Sequence, residues 1–495
     1  MKKTIFRSGE LTGGLKASGY RLFGYYRLFG YYRLSGYVLA AMGLGAALVA
    51  AAGVAVAVAG GLQASGQQPA APAPQQPSEI AVVISGDPGT PPRYAVPDFI
   101  ALTPDAAAQA KTISQVLFDD LSFEREFYMI PRDTYSSVAQ ARSADQIPFA
   151  AWRELGADAV VFGTVQRTGT MVRVEVRLYN VRTRESVFAK EYSGTDGNLR
   201  LYAHTMSDEI HQQQRALRGV ARTKLTFSSN RNREKLVGSV ENRDVKEVYI
   251  ADYDGAGPRR ITTNRQLNIT PVWAPDARSI AYTSYRRGYP DIFVALIYQG
   301  LQEEPTKGVG QNWLPMYSPD GTRICFTSNR DGNPELYVMN RDGSGVRRLT
   351  NHPAIDTTPT WSPTGTQIAF TSDRAGTPQI YVVGVDGLNL RRLTTSESYA
   401  DRPTWSPPPF NEVAYTGRSG PGYDVKVYDL ASGQVRQVTF GEGSNESPAY
   451  SPNGRHLAFT STRAGRVQIF TIGRDGRGVK QITRDGDNYT PAWSN

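Results

Sequence analysis

The chain has 495 residues, a formal net charge of +9 and one cysteine. A single cysteine excludes a disulfide framework, and the length leaves room for two or three domains. Residues 1–33 contain seven Lys/Arg and one Glu, so the rest of the chain nets only about +3. Since there is also no basic helix or zinc signature, the charge gives no support to nucleic-acid binding.

The N-terminal segment, residues 1–62, has the features of an export signal. Basic residues precede an unbroken apolar stretch from Val38 to Ala59, which predicts that the rest of the chain is exported. The sequence Ala57-Val58-Ala59 fits cleavage after Ala59, although the stretch is long enough to span a bilayer uncleaved. A cleaved signal is favoured and a retained anchor stays open; only this segment is expected to touch the membrane. Residues 63–78 are predicted to form an extended Pro/Ala/Gln linker.

Residues 79–218 do not repeat and predict a small α/β domain. Thr103-Pro104-Asp105 marks a helix start with proline at the first helical position. The glycines of residues 163–170 lie between two strand patterns, so they predict a hairpin turn rather than a phosphate-binding loop. The predicted strands are 79–85, 126–130, 159–165, 172–179 and 187–192, and the predicted helices are 103–121, 149–155 and 198–217.

Residues 219–495 repeat with a period of 43 to 45 residues, which indicates a repeat architecture. Each unit has an aromatic residue followed by a small residue, and a proline two positions before the aromatic. Turn residues such as Ser318-Pro319-Asp320-Gly321 then separate short alternating runs. Four short strands per unit, without a helical segment, predict a β-propeller blade. The aromatic positions are Trp273, Tyr317, Trp361, Trp405, Tyr450 and Trp493.

The first and last repeats are incomplete in complementary ways. Residues 223–262 supply three strands without the aromatic strand, and the C-terminal residues supply only that missing strand. We therefore predict six blades, with Thr490–Ser494 pairing beside Lys224–Phe227 to close the ring. Closure would remove exposed strand edges. Cys325 lies within a predicted strand and is expected to be a buried, inert thiol.

The repeat also predicts a candidate partner-binding face. A mostly polar position five residues before each aromatic begins the innermost strand, so it is expected at the channel mouth; these residues are Asn268, Asn312, Asp356, Ala400, Asn445 and Asn488. They either cap turns locally or form a binding rim. The next position varies, and Trp313 is the unexpected large aromatic, a residue type enriched at binding hot spots. The candidate contact residues are Asn312, Trp313, Asp356, Thr357, Asp401, Arg402, Glu446 and Tyr489. Arginines at the ends of the second strands are expected to make inter-blade bonds: Arg231, Arg286, Arg330, Arg374, Arg418 and Arg463.

The sequence gives no sign of an enzyme. Propellers accompany serine peptidases that need a G-x-S-x-G elbow and a downstream histidine, and this chain has no G-x-S-x-G. His204 and His211 are seven residues apart on one predicted helix and are expected on its surface or in packing rather than as ligands. No catalytic, cofactor-binding or metal-binding residue is predicted. The alternative function is an exported propeller that binds a small molecule or glycan at the same mouth.

Residues 79–495 resemble the TolB family of periplasmic Tol-Pal proteins. The resemblance rests on "EIAVVIS" (79–85), "AWRELGADAVVFGTV" (151–165) and "YAHTMSDEI" (202–210), followed by blades of the type "WSPTGTQIAFTS" (361–372). It implies a monomeric periplasmic scaffold, without a cofactor, that binds the peptidoglycan-associated lipoprotein Pal through the propeller. It also implies a role in outer-membrane integrity and constriction at cell division. The segment that would engage a TolA-like inner-membrane protein is Glu79, Ile80, Ala81, Val82, Val83, Ile84 and Ser85. Here the chain departs from the family pattern, because a linker precedes that segment.

Overall fold

The computed structural model describes residues 90–236 and 243–495. The predicted export segment, the cleavage site after Ala59 and the segment Glu79–Ser85 therefore lie outside the described residues. All described residues belong to one compact unit, Ser85–Asn495. Within the described part of the chain, no helix is long and apolar enough to cross a membrane.

The first part of the described chain is a mixed sheet covered by helices. The strand order is β3-β1-β4-β5-β6, with β2 paired to β4; β1 runs parallel to β3 and β4, and β4, β5 and β6 are antiparallel. The elements are β1 Arg93–Ala95, β2 Ile100–Ala101, α1 Ala107–Glu124, β3 Tyr128–Met129, α2 Phe149–Glu154, β4 Ala159–Thr168, β5 Met171–Asn180, β6 Ser186–Thr195 and α3 Leu199–Arg215.

Alternation of apolar and polar residues explains this sheet. In β5 the side chains of Val172, Val174, Val176 and Leu178 are buried, while the residues between them lie on the more exposed face. The buried face packs against apolar residues of α1 and α3 to form one core. The predicted α/β elements among the described residues are present, but β4 runs on to Thr168, so the turn predicted over 163–170 is confined to residues 169–170, between β4 and β5. The very short strands β1 and β2 were missed because they contain too few residues to show a period.

Six four-stranded antiparallel sheets follow, which confirms the prediction of a six-bladed propeller. First strands of neighbouring blades contact one another around the ring. Blade 1 is β10 Asn268–Trp273, β11 Ser279–Ser284, β12 Asp291–Leu296 and β13 Leu301–Glu303, and blade 2 is β14 Asn312–Tyr317, β15 Arg323–Ser328, β16 Glu335–Asn340 and β17 Arg347–Arg348. Blade 3 is β18 Asp356–Trp361, β19 Gln367–Ser372, β20 Gln379–Gly384 and β21 Arg391–Arg392, and blade 4 is β22 Ala400–Trp405, β23 Glu412–Ser419, β24 Gly422–Asp429 and β25 Val435–Gln437. Blade 5 is β26 Asn445–Tyr450, β27 His456–Ser461, β28 Gln468–Gly473 and β29 Lys480–Gln481, and the closing blade is β30 Asn488–Trp493, β7 Lys224–Ser229, β8 Glu247–Asp252 and β9 Arg259–Arg260.

The closing blade joins the two ends of the propeller sequence. Strand β30 pairs with β7 in antiparallel register, with Trp493 opposite Leu225. The backbone N–H of Ser494 donates to Lys224 O at 2.8 Å, and the N–H of Lys224 donates to Ser494 Oγ at 2.9 Å. The predicted ring closure is thereby confirmed. The proposed boundary between the domains, residues 218/219, falls between the end of α3 and the start of β7.

Candidate partner-binding face

The upper mouth is the end of the channel at which the first strand of each blade begins. The residue that begins each first strand is fully buried there: Asn268, Asn312, Asp356, Ala400, Asn445 and Asn488 are all 0% exposed. Asn312 and Asp356 were predicted as partner contacts, and their burial removes them from the contact surface. Their position in the repeat is structural, because it joins one blade to the next.

An amide-to-carboxylate hydrogen bond forms this joint in blades 1, 2 and 5. Asn268 Nδ2 donates to Glu247 Oε2, Asn312 Nδ2 to Asp291 Oδ1, and Asn445 Nδ2 to Asp424 Oδ1, each at 2.9 Å. In each case the acceptor lies at or near the start of the third strand of the preceding blade. A buried carboxylate needs several donors, and a threonine hydroxyl at the end of the blade supplies another one.

The arginines that follow the second strands bind mainly within their own blade, whereas inter-blade bonds were predicted; Arg463 also pairs with Glu442, in the connection from blade 4 to blade 5, at 3.3 Å. Arg330 Nη2 donates to Asn312 Oδ1 at 2.9 Å and Arg463 Nη2 to Asn445 Oδ1 at 3.0 Å. Arg286 and Arg418 depart from this pattern: Arg286 pairs with Glu304, and Arg418 donates to a backbone carbonyl. The arginine reaches the starting residue because the second strand ends beside the start of the antiparallel first strand.

A β-bulge repeats in all six first strands. The residue two positions after each buried starting residue has φ between 49 and 56° although it is never glycine: Thr270, Leu314, Thr358, Arg402, Ser447 and Thr490. A positive φ at a residue other than glycine costs about 1 kcal/mol or more, and it persists where surrounding interactions hold the backbone in that conformation. Here the backbone N–H of Leu314 donates to Thr283 Oγ1 of the preceding blade at 3.1 Å, and Ser447 N–H donates to Thr416 Oγ1 at 2.9 Å. Because none of these six residues is glycine, the bulge could not be recognised from the sequence.

The six remaining candidate residues are all partly exposed at this mouth: Trp313, Thr357, Asp401, Arg402, Glu446 and Tyr489. Four of the six buried starting residues are asparagine, whereas the position that follows them carries a different residue in each blade. The structure brings three of them together at the junction of blades 4 and 5. Arg402 and Asp401 both act electrostatically on Glu446, whose pKa is raised mainly by burial.

Asp401 is already tied into the propeller frame. Its Oδ1 accepts hydrogen bonds from Thr371 Oγ1 at 2.9 Å and from the backbone N–H of Arg402 at 2.7 Å. On the closing blade, Lys246 Nζ lies 3.7 Å from the ring centroid of Tyr489, and burial lowers the pKa of Lys246 to about 8. The mouth therefore presents charged and aromatic groups that are held by the blades beneath them.

The α/β domain docks on the opposite face of the propeller, which sequence reasoning did not predict. At the end of α1, Glu124 accepts hydrogen bonds from Arg455 Nη2 at 2.5 Å and from the backbone N–H of Val220 at 2.8 Å. His204 Nδ1 lies 2.8 Å from Asp120 Oδ2. His204 and His211 are both buried. The signal available in the sequence was a series of polar residues along otherwise apolar helix faces.

The lower mouth, at the other end of the first strands, opens into a cavity of about 890 Å³. The repeated aromatics line it, together with the prolines that follow them and the connection after α3. Trp273 and Trp405 are partly exposed there, whereas Trp361 is buried. This cavity is separate from the predicted partner face, because the first strands span the distance between the two mouths.

Residues 213–495 match the family model of the TolB beta propeller domain, and residues 80–187 match the TolB amino-terminal domain. Among curated proteins, the Tol-Pal system protein TolB of Desulfosudis oleivorans is 32% identical over 205 residues, covering 40% of this chain and 44% of that protein. The TolB of Alkalilimnicola ehrlichii is 33% identical over 234 residues, covering 47% of this chain and 52% of that protein. The aligned part thus spans about half the length of these relatives. The crystal structure of TolB from Acinetobacter baumannii aligns with a TM-score of 0.70 and 28% identity, covering 82% of this chain and 97% of that chain.

Proposed function

Because this chain belongs to the TolB family, we propose that it is a periplasmic scaffold of the Tol-Pal system, rather than an enzyme, whose upper mouth binds the peptidoglycan-associated lipoprotein Pal. In this role it links inner-membrane Tol proteins to the outer membrane and supports envelope integrity and constriction at division. The segment Glu79–Ser85, outside the described residues, is proposed to engage the TolA-like protein.

The observation that carries the proposal is that buried and partly exposed residues of the upper mouth have different roles. Buried residues that begin the first strands hold the blades together, so the structural needs of the repeat are met below the surface. The partly exposed positions above them differ in every blade. A rigid frame that presents unlike side chains binds a partner without a large ordering cost.

Trp313 is the expected anchor of this interface. It is a large aromatic at the mouth, next to the buried joint of Asn312. Tryptophan is among the residues whose truncation most often costs 2 kcal/mol or more at interfaces. We therefore expect Trp313→Ala to raise the Kd for the lipoprotein by about 30-fold or more.

A matched control lies at the other mouth. Trp405 is also partly exposed and also belongs to a first strand, but it lines the lower cavity. The full chain and the variants Trp313→Ala and Trp405→Ala would be titrated with purified lipoprotein by calorimetry. Loss of affinity in Trp313→Ala alone supports the upper face. Equal losses in both variants would refute that face, and no binding by the unaltered chain would refute the lipoprotein as partner.

The proposed second contact is tested independently. Deleting Glu79–Ser85 should abolish binding of the TolA-like protein and leave lipoprotein affinity unchanged, since the upper mouth is built from propeller strands. If the deletion leaves TolA binding intact, another part of the chain must make that contact.

A small-molecule or glycan-binding propeller is the second candidate, and the aromatic-lined lower cavity is the observation that favours it. Ligand sites are commonly concave, mostly apolar and of this size range. The cavity lies at the opposite mouth from the one expected from sequence. A saturable rise in Tm with a defined glycan, abolished in Trp405→Ala and retained in Trp313→Ala, would support this function.

A further inference from the structure

The six joints between blades share one design, in which a residue at or near the start of a third strand faces the residue that begins the next first strand. These junction pairs are Glu247–Asn268, Asp291–Asn312, Glu335–Asp356, Gln379–Ala400, Asp424–Asn445 and Gln468–Asn488. In four of them an asparagine amide donates to a side-chain oxygen at 2.9 to 3.0 Å. In a fifth, Ala400 has no polar side chain, and Gln379 Nε2 donates to Glu397 O at 2.9 Å instead.

The junction pair Glu335–Asp356 breaks the chemical rule, because it places an acid opposite an acid. Both residues are 0% exposed. Arg374 Nη2 donates to Asp356 Oδ2 at 2.7 Å, as Arg330 donates to the amide oxygen of Asn312 in the neighbouring blade. Oδ2 of Asp356 thus takes the place of the amide oxygen. Oδ1 takes the place of the amide nitrogen, which in the other joints is the donor.

Oδ1 of Asp356 is buried and has no hydrogen-bond partner among the described residues. The oxygens of Glu335 can only accept while it is ionised, and they already do so from Thr350 Oγ1 at 2.6 Å and Arg348 Nη2 at 2.9 Å. A third donor, the backbone N–H of His352, reaches Glu335 at 2.6 Å. A proton between the two carboxyls would supply the missing donor of this joint, since the charge of Glu335 acts against ionisation of Asp356.

We propose that Asp356 and Glu335 share one proton, held on Asp356 Oδ1, and that this proton fastens the loop of residues 350–355 beside the upper mouth. The loop depends on the pair because its backbone donates to Glu335, and Thr357 follows directly as a candidate contact. The effect on partner binding rests on the proposed function; the shared proton does not.

The groups that face Asp356 act in both directions. Burial raises its pKa most strongly, the hydroxyl of Ser372 and the guanidinium of Arg374 lower it, and the Glu335 carboxylate raises it. The net direction is upward, so folding favours the protonated form. The contribution of protonated Asp356 to folding stability is fully present below its unfolded pKa of about 3.9, and it is lost as pH rises through its folded pKa.

Two variants test the shared proton. Asp356→Asn installs the amide that Asn312 and Asn445 have, so it should keep the joint and remove its titration. Asn445→Asp creates the same acid pair with Asp424 in blade 5 and should introduce the titration there. Thermal unfolding of both variants and of the unaltered chain would be followed from about pH 4 to about pH 8, over which each pH unit between the unfolded and folded pKa changes the folding equilibrium tenfold.

The expected result is a gain in Tm for Asp356→Asn that is near zero at the acid end and grows with pH. Asn445→Asp should lose Tm increasingly over the same range. Parallel curves for all three proteins, or a constant offset of Asp356→Asn at every pH, would overturn the proposal. If Asp356→Asn does not fold, Asn445→Asp decides alone, since a pH-independent effect there contradicts the same reasoning.

Lipoprotein binding at about pH 5 and about pH 8 tests the consequence. The unaltered chain should lose affinity at the higher pH, and Asp356→Asn should not. Equal affinities at both pH values would refute the control of the mouth while leaving the thermal result in place. Absence of lipoprotein binding at either pH, with the thermal result as expected, would count against the proposed function alone.

Discussion

Replacing Glu124 by alanine tests how the α/β domain is held on the propeller. Glu124 ends α1, its side chain is 2% exposed, and it accepts hydrogen bonds from Arg455 and from the backbone N–H of Val220. His456 Nε2 lies 3.3 Å from Oε2 of the same carboxylate. All three partners lie beyond the end of α3, so one buried carboxylate joins the two parts of the structure.

The magnitude follows from the environment of that carboxylate. Burial acts to raise the pKa of Glu124, but the hydrogen bond and charge of His456, with His211 and Arg455, lower it from 4.5 to about 2. A depression of this size corresponds to about 3 kcal/mol of stability at neutral pH. Removing one partner of a buried ionic group also leaves its counterparts uncompensated, so we expect a total loss of about 3–5 kcal/mol.

Glu126 provides the matched control. It follows the same helix, also pairs with Arg455, at 2.6 Å, and its side chain is 22% exposed. Solvent screens such a pair, so Glu126→Ala should cost less than about 1 kcal/mol. The free energy of unfolding would be measured for both variants by urea titration at neutral pH. Equal losses, or a loss below about 1 kcal/mol for Glu124→Ala, would refute the assignment of Glu124 as the joint.

The same carboxylate predicts an acid limit. Because the folded pKa of Glu124 is depressed, its contribution is present above the unfolded value of 4.5 and is lost as pH falls toward about 2. Glu124→Gln should therefore be less stable than the unaltered chain at neutral pH, and the difference should shrink on acidification. A difference that stays constant with pH would contradict the depressed pKa.

Further predictions concern the ring and two buried side chains. Trp493→Ala and Trp361→Ala should each lower the free energy of unfolding by about 3–5 kcal/mol. Only Trp493→Ala should speed amide hydrogen exchange across Lys224–Ser229, since Trp493 closes the ring opposite Leu225. Equal exchange in both variants would argue against a special role for closure. Burial lowers the pKa of His204, but the hydrogen bonds that it makes to two carboxylate neighbours outweigh burial and raise that pKa to about 9. Stability from His204 is then present below 6.5 and lost as pH rises through about 9, and a His204→Gln variant that keeps the same alkaline decline in Tm would contradict this. Burial raises the pKa of the Cys325 thiol, so maleimide should label the native chain only as fast as it unfolds, and rapid native labelling would refute its burial.

The sequence predicted the propeller well because the information is local and repeated. Turn residues and alternating runs specify each hairpin within a few residues, and six copies agree. The split closing blade followed from counting strands at the two ends, which β30 and β7 confirm. Helix α1 was also predictable, from a proline-containing start and a long apolar pattern. The two-residue strand β2 was not, since its pairing with β4 depends on residues more than 60 positions away.

At the upper mouth, the sequence determined which positions belong together, because a fixed period places Asn312, Asp356 and their equivalents at the same point of each blade. Only the tertiary structure decided that these positions are buried joints and that the following ones face the solvent. Burial depends on the bulge and on the neighbouring blade, neither of which leaves a local pattern. The docking of the α/β domain was decided in the same way. Charges such as Glu124 on a helix look solvent-exposed until a second surface supplies their partners.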